Sequence, residues 1–407
     1  MSLQHVLPAA GLAAALAAAG WGQPGEAVWK HLSTTKGDLE APNSGRQQTA
    51  SAVFDIDRDG VNDFVITERT QAPAVVWYRR HPKGWTKHVV EAGQLNIEAG
   101  ATSYDVDGDG DLDFVAAGDY KRNEVWWWEN PHPNHKPGVP WTRHIIKSGG
   151  YPKHHDLIFG DFDADGRDEL VFWSQNARKL FMARIPPDPR APGRWPLSEV
   201  YGYATDSEPQ HRGKTDGFKG VHEHEGLAKA DIDGDGKLDI VGGGRWFKHI
   251  AGDRFQENII DAAYTFSRAA AGQLKKGGRP EVVLVVGDGQ GPLIVYEWNK
   301  GAWTPNIVLD TVNNGHSLDL VDFNRDGNLD IFCAEMRLNG GNPEAKIDLL
   351  LGDGNGNFRT TVVATGYGNH ESKIADLDGD GTLDILGKPY NWETPRLDIW
   401  LNAGPRQ

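Results

Sequence analysis

Sulfur is scarce in this sequence, which has one cysteine, Cys333, and three methionines in 407 residues. A single thiol cannot form an internal disulfide, so we expect Cys333 to be a small buried apolar side chain. Few methionines beside 50 glycines and 15 tryptophans are untypical of a helical protein. The chain is also longer than a single hydrophobic core usually supports, which favours several small domains or one repeat architecture.

Positive charge is also in deficit, with 42 Lys and Arg against 57 Asp and Glu and a formal net charge of -15 at pH 7. Nucleic acid is therefore an unfavourable partner, because its phosphates would be repelled. The sequence contains no His-Glu-x-x-His, Gly-x-Ser-x-Gly or phosphate-cradling motif. Peptidase, esterase and nucleotide chemistry are accordingly disfavoured.

Long apolar runs are confined to the N-terminus, where "VLPAAGLAAALAAAG" has signal-peptide length and ends in small residues. We expect residues 1–22 to be a signal peptide and the protein to be secreted or periplasmic. No later segment is long and apolar enough to predict a membrane span. The remaining residues, 27–405, are predicted to form one domain.

One acidic pattern, Asp-x-Asp/Asn-x-Asp-Gly-x-x-Asp/Glu, recurs along this domain, and self-similarity of this kind indicates a repeat fold. A degenerate copy lies in "AAAGQLKKGGRPEVVLV", where Gln273 takes the first acidic position and Glu281 the last. The chain therefore has seven units. The six complete copies begin at Asp55, Asp105, Asp161, Asp231, Asp322 and Asp376.

Each unit has the same order of short apolar segments, such as "ASAVFDID", "DFVITE", "AVVWYRR" and "WTKHVVEAG" in the first. Four short strands per unit, separated by turn residues, are typical of a propeller blade. The last unit has only three such segments, and "AVWKHLSTT" at residues 27–35 resembles the missing fourth. The sequence therefore predicts an all-β, seven-bladed propeller whose N-terminal strand closes the ring beside the C-terminal strand.

The acidic loops have the spacing of a calcium site. Side chains at positions 1, 3, 5 and 9 can converge on one cation, and Gly at position 6 allows the sharp turn. Ligation by oxygen alone favours Ca²⁺ over Zn²⁺, whereas Asx turns without an ion are the alternative. We expect up to six structural calcium ions. The expected ligands are Asp55, Asp57, Asp59 and Asp63; Asp105, Asp107, Asp109 and Asp113; Asp161, Asp163, Asp165 and Glu169; Asp231, Asp233, Asp235 and Asp239; Asp322, Asn324, Asp326 and Asp330; and Asp376, Asp378, Asp380 and Asp384.

In these repeats the chain resembles the FG-GAP/VCBS-type calcium propellers, which include the blades of integrin α-chain heads. The resemblance covers roughly residues 27–405. It implies the propeller fold and the calcium loops, and it says almost nothing about activity.

A second set of polar residues lies six positions before each acidic loop, where the first strand of a blade begins at the opposite face. The residues at this position are Thr49, Ala99, His155, Glu225, Ser267, His316 and His370. A single histidine is often structural, but imidazoles recurring around one axis indicate a site at the mouth of the channel. They could hold Zn²⁺ or a similar metal, or act as general acid and base. The candidate catalytic residues are His155, His224, Glu225, His316, His370 and Tyr390.

The loops between second and third strands should open onto the same mouth. Arginine pairs with carboxylates and aromatic rings stack on sugars, so these loops predict a carbohydrate ligand, and one that is anionic. The candidate substrate-binding residues are Arg69, Arg212, Arg245, Trp246, Arg337, Lys388 and Asn391.

The stretches "VVWYRRHPKGWTKHVV" and "WWWENPHPNHKPGVPWTRHIIK", followed by first strands with histidines, are similar to the propeller of aldos-2-ulose dehydratases and of lyases that cleave rhamnose–glucuronate linkages. The resemblance implies a carbon–oxygen lyase that performs β-elimination on a uronate-containing glycan or a keto-sugar. His155, His224, His316 and His370 would then be metal ligands or acid and base groups. A non-catalytic, calcium-stabilised propeller that binds glycan or protein, and a glycoside hydrolase, are the alternatives.

Overall fold

Seven four-stranded sheets make up a computed structural model of the protein, in which residues 27–204 and 223–405 are described. The sequence prediction of an all-β, seven-bladed propeller is confirmed. Two 3₁₀ turns, Thr34–Lys36 and Leu338–Gly340, are the helical elements of the described residues. Within these ranges there is no helix with the length and apolar character needed to cross a bilayer.

The blades follow one another along the chain, and each is an antiparallel sheet with its strands in sequence order, except that blade 7 has β1 as its fourth strand. Blades 1 to 3 consist of β2 (Gln48–Phe54), β3 (Asp63–Glu68), β4 (Val75–His81) and β5 (Gly84–Glu91); β6 (Thr102–Tyr104), β7 (Asp113–Ala117), β8 (Val125–Glu129) and β9 (Thr142–Lys147); and β10 (His154–Gly160), β11 (Glu169–Ser174), β12 (Lys179–Arg184) and β13 (Leu197–Gly202). Blades 4 and 5 consist of β14 (Ala228–Ala230), β15 (Asp239–Gly242), β16 (Arg245–Ala251) and β17 (Arg254–Ile259); and β18 (Ser267–Gly272), β19 (Glu281–Val286), β20 (Gln290–Asn299) and β21 (Ala302–Asn313). Blades 6 and 7 consist of β22 (Ser317–Val321), β23 (Asp330–Ala334), β24 (Lys346–Gly352) and β25 (Phe358–Thr365); and β26 (Lys373–Ala375), β27 (Asp384–Gly387), β28 (Asp398–Pro405) and β1 (Ala27–Ser33).

The first strands of the blades surround the central axis. Each of them contacts the first strand of the blade before it and of the blade after it, and β26 contacts β2. The second strands are buried on both faces, as in β3 and β19, which explains the apolar run that follows the acidic first residue of each. Large aromatic side chains fill the space between blades, for example Trp77 of blade 1 with Phe114 and Trp128 of blade 2. The hydrophobic core is therefore a ring of interblade clusters around a polar channel.

The N-terminal strand closes this ring, as the sequence predicts. Strand β1 pairs antiparallel with β28, and His31 lies opposite Trp400. The His31 ring stacks on Trp400 with a centroid distance of 4.9 Å, and its Nε2 lies 2.8 Å from Asp398 Oδ1. Closure leaves blade 7 with four strands and removes an unpaired sheet edge.

Replacing His31 by Ala is expected to lower Tm by about 3 °C or more, because a hydrogen bond to a charged group contributes about 1.5–3 kcal/mol. Differential scanning calorimetry measures this. His249→Ala is the matched control, since His249 is a half-buried histidine in blade 4 that hydrogen-bonds Gly252 O within its own hairpin. Equal shifts in the two variants would show that ring closure does not depend on His31.

Candidate functional site

A cavity of about 410 Å³ opens at the end of the channel opposite the acidic loops, and we call it the mouth pocket. Four of the seven residues that lie six positions before the acidic loops line it, namely His155, Glu225, His316 and His370. Their counterparts in blades 1, 2 and 5 are the small residues Thr49, Ala99 and Ser267, which leave room on that side. Equivalent positions in a closed ring point at one axis, so residues far apart in the sequence meet here.

His155, Glu225 and His316 form a buried triad at the base of the mouth pocket, each at most 4% exposed. The Nε2 atom of His155 lies 3.4 Å from Glu225 Oε1, and the Nε2 atom of His316 lies 3.7 Å from Glu225 Oε2. One potential ligand atom from each residue lies within 4.8 Å of the other two. Two imidazoles and one carboxylate that face a cavity are a donor set suited to a divalent metal with an open position.

A second layer of charged residues lies behind this triad. Asp156 Oδ2 is 2.8 Å from His155 Nδ1, and Glu371 Oε1 is 3.8 Å from His316 Nδ1. Arg268 connects the two carboxylates, with Nη1 2.6 Å from Asp156 and Nη2 2.9 Å from Glu371. Carboxylates in this position orient imidazole rings and fix which nitrogen faces the site.

The backbone is unusual at both of these carboxylates. Asp156 has φ of 50° and Glu371 has φ of 54°, a left-handed conformation that residues other than glycine adopt at a cost. A β-bulge between His155 and Leu157 places the extra residue, Asp156, out of register with β11. The bulge lets two consecutive side chains, His155 and Asp156, reach the centre of the ring together.

The other wall of the mouth pocket is a ladder of stacked rings. His316 stacks on His370 with centroids 4.3 Å apart, and His370 stacks on Tyr390 at 5.0 Å. Arg69 donates a 2.7 Å hydrogen bond from Nη1 to the Tyr390 hydroxyl. Lys388 is fully buried behind His370, 3.3 Å from its Nδ1, and donates to the Gln48 carbonyl. Burial, aided by His316, keeps the pKa of His370 well below its usual value, so this ring is neutral.

Carboxylates dominate the remaining lining. Arg69 contacts Glu98 and lies 3.0 Å from Asp119 Oδ2. Burial and the neighbouring Glu98 raise the pKa of Asp119 to about 8. Burial also opposes charge on His155, but Glu225 and Asp156 outweigh it and raise the pKa of His155 to about 10. At neutral pH the pocket therefore holds a protonated carboxyl at Asp119 and, when no metal is bound, a cationic histidine at His155.

Several residues that the sequence assigned to the mouth lie elsewhere. His224 is buried with its ring stacked on Tyr203 at 3.7 Å and edge-on to Trp173, an interblade packing position. Arg245 is buried against Glu257, and Trp246 belongs to the core between blades 4 and 5. A one-residue shift explains His224, because neighbouring residues of an extended chain face opposite sides.

The remaining predicted substrate contacts divide in three ways. Arg69 lines the mouth pocket, and Lys388 supports it from behind. Arg337 lies over the Trp392 ring at 4.3 Å, and Asn391 hydrogen-bonds Asn339, so both join the loops of blades 6 and 7 to each other. Arg212 lies outside the described residues.

Sequence reasoning missed six charged residues of this region, namely Asp119, Lys153, Asp156, Glu223, Arg268 and Asp288. Asp156 and Arg268 directly follow the aligned positions, at His155 and Ser267, and that adjacency was the available signal. Asp288 lies in the turn "VGDGQ" between the second and third strands of blade 5, the blade with the degenerate acidic loop. The blade that carries the weakest repeat therefore contributes both Arg268 and Asp288.

The acidic loops join first to second strands at the opposite end of the channel. In each complete loop the first Asp accepts backbone N–H groups of the same loop, as when Gly60 N donates to Asp55 Oδ2 at 2.9 Å. The last carboxylate begins the second strand and is buried. Burial raises the pKa of Asp63 to about 7 and that of Asp113 to about 8, and neighbouring aspartates add to the shift. These carboxylates lack compensating charge within their own loops.

The donor set of these loops fits a hard cation. Three loop carboxylates converge in several of them, for example Asp231, Asp233 and Asp239. Buried carboxylate oxygens of Asp57, Asp107 and Asp233 accept no hydrogen bond among the described residues. Basic side chains approach the third position in four loops, and these pairs are Arg79 with Asp57, Arg190 with Asp107, Arg184 with Asp163, and Lys248 with Asp233.

Known proteins match the chain mainly through its fold. The FG-GAP-like repeat family matches residues 105–172 and 277–333. A lectin of Agrocybe aegerita that recognises non-reducing terminal N-acetylglucosamine has a similar structure, with 19% identity, a TM-score of 0.50, and coverage of 79% of this chain and 81% of the lectin. The V. cholerae biofilm matrix protein Bap1 has 10% identity, a TM-score of 0.50, and coverage of 89% of each chain.

No curated protein matches the sequence. The structural likenesses are below 25% identity and establish the fold alone. The chain is a seven-bladed β-propeller that contains FG-GAP-like repeats.

Proposed function

We propose that the protein binds carbohydrate in the mouth pocket. The observation that carries this proposal is the composition of the lining, which places carboxylate acceptors beside apolar surface. Glu225 and Asp288 supply acceptors for hydroxyl groups, and Phe266, Met336 and Leu338 supply apolar contact. A sugar presents hydroxyls at its edge and C–H groups on its faces, so one ligand can satisfy both.

The size of the site agrees with this ligand class. A volume of about 410 Å³ falls in the range of small-molecule pockets and holds one or two sugar rings. The Agrocybe aegerita lectin shows that a protein of similar fold recognises a sugar. Binding without catalysis is therefore the function that we propose first.

Tyr390→Ala is expected to weaken sugar binding about 10- to 100-fold, because it removes a ring that lines the pocket and supports His370. Binding is measured by isothermal titration calorimetry with the oligosaccharide that binds most tightly on a glycan array. Tyr151→Ala is the control, since Tyr151 is 65% exposed. Wild-type affinity in Tyr390→Ala, or an array without any bound glycan, would refute binding in the mouth pocket.

A second candidate function is β-elimination at the same site, and the buried triad favours it. His155, Glu225 and His316 would hold Zn²⁺ or a similar ion, which would stabilise negative charge on an enolate oxygen. His370 is neutral and stacks on Tyr390, so these two residues are placed to move a proton to and from the substrate. The experiment that separates this candidate from binding alone uses Glu225→Gln and is described in the Discussion.

We also propose that the six complete acidic loops bind structural Ca²⁺. Their oxygen donors support this assignment, and so do the buried Oδ1 atoms of Asp57 and Asp233, which accept no hydrogen bond from the described residues. Sites of modest affinity are filled outside the cytoplasm, where calcium is abundant, and secretion is therefore part of the proposal. The predicted signal peptide, residues 1–22, lies outside the described residues.

A further inference from the structure

We infer that the sugar bound in the mouth pocket carries no acidic group and is a neutral or an amino sugar. This inference rests on the proposed carbohydrate binding and specifies its ligand class. It departs from the sequence prediction of an anionic ligand, because tertiary contacts already use those cations of that prediction that lie within the described residues.

The described lining of the mouth pocket is rich in carboxylates and has two side chains with permanent positive charge, Arg69 and Lys153. Five carboxylates line the same cavity. They are Glu98, Asp119, Glu223, Glu225 and Asp288. With Asp119 protonated, as its raised pKa indicates, four charged carboxylates still outnumber the two permanent cations.

Both permanent cations are already paired. Arg69 contacts Glu98 through Nη2, donates a hydrogen bond from Nη1 to the Tyr390 hydroxyl, and forms an ion pair with Asp119, whose Oδ2 lies 3.0 Å from Nε. Lys153 Nζ lies 2.5 Å from Glu223 Oε1. An arginine in such contacts cannot offer the two-pronged face by which arginine usually binds a carboxylate. An incoming uronate would have to displace one of these partners and leave a buried carboxylate without a cation.

Acceptors, by contrast, are available. Glu225 Oε2 and Asp288 Oδ1 are buried and accept no hydrogen bond from residues in the described part of the chain. Unpaired buried acceptors favour a ligand that brings donors, since a buried polar atom without a partner is destabilising. Sugar hydroxyls bring neutral donors, and an amine adds a positive charge that complements the excess of carboxylates.

The test compares oligosaccharides of matched length and linkage on the full chain: galactan against oligogalacturonate, and acetylated chitin against deacetylated chitosan oligomers. Affinities are measured by calorimetry at 0.15 M salt, with calcium present throughout. We expect the galacturonate oligomer to bind at least 30-fold more weakly than its neutral counterpart. The chitosan oligomer should bind at least as tightly as the chitin oligomer.

Asp288→Asn adds a test at the site itself. We expect it to reduce the preference for the amine over the acetylated sugar at least 5-fold. Asp319→Asn is the matched control, because Asp319 is in the channel on the other side of the Arg268 layer and does not line the mouth pocket. Uronate binding equal to or tighter than neutral binding would overturn the inference and leave carbohydrate binding intact. Absence of binding to every sugar would instead overturn the proposed function.

Discussion

Removing calcium is expected to lower Tm by about 20 °C or more. A site held at 100 times its dissociation constant adds about 2.7 kcal/mol to the folded state, so six sites are comparable with the whole stability of an ordinary domain. The physical reason is that each loop gathers carboxylates whose repulsion only a cation offsets. Asp239 illustrates this, because burial and then Asp233 and Asp235 raise its pKa to about 7.

Calorimetry in the presence of EGTA, and again after calcium is restored, measures this effect, and elemental analysis counts the bound ions. Asp384→Asn should remove roughly one sixth of the calcium-dependent stability. Glu281→Gln is the control, because Glu281 takes the same position in the degenerate loop of blade 5, where its Oε2 accepts the Leu274 N–H. A Tm unchanged by EGTA would mean that basic residues such as Arg184 and Lys248 neutralise the loops instead.

Glu225→Gln is expected to weaken divalent metal binding at the mouth pocket at least 100-fold. Glu225 faces both His155 and His316, and it is the anionic member of the triad. A neutral amide cannot offset the charge of the ion, and its nitrogen is a poor ligand. Equilibrium dialysis with Zn²⁺ or Mn²⁺, after the calcium loops are saturated, gives the affinity.

The control for this variant is Glu257→Gln, which alters a carboxylate of the same blade that pairs with Arg245 away from the pocket. Elimination, followed by the ultraviolet absorbance of an unsaturated product from keto-sugars, should fall to background in Glu225→Gln and remain normal in Glu257→Gln. Zinc binding by Glu225→Gln at wild-type affinity would refute the triad as a metal site. A wild-type protein that binds sugar and forms no product would leave binding as the function.

Repetition made the fold predictable. Six loops have the same spacing of acidic residues, and a degenerate copy runs from Gln273 to Glu281. Together they predict the number of blades without any knowledge of tertiary contacts. The likeness of "AVWKHLSTT" to a fourth strand was enough to predict that β1 completes blade 7. Each of these predictions needs only local pattern, because every blade buries the same apolar strands against its neighbours.

Aligning the repeats on their acidic loops also predicted part of the candidate site. It selected His155, Glu225, His316 and His370, and the structure brings all four into one cavity. It failed for residues chosen by loop position alone, such as Arg245 and Trp246, because a loop's place in the sequence does not say which way a side chain faces. His224 shows that an error of one residue in the alignment is enough to make the prediction wrong, since its ring lies in the core and the neighbouring Glu225 side chain faces the pocket.

The sequence by itself determined the seven blades, the order of strands and the ring of histidines, since all of these follow from periodic pattern. Only the tertiary structure decided which charged side chains have ion-pair partners. Arg268 pairs with Asp156, 112 residues earlier, and with Glu371, 103 residues later. Arg69 of blade 1 pairs with Glu98 and Asp119 of blade 2 and donates to Tyr390 of blade 7. Pairing depends on distances of a few ångströms between blades, and no local pattern encodes these distances. The sequence therefore predicted an anionic ligand, whereas the contacts in the folded protein support our proposal of a neutral or cationic ligand.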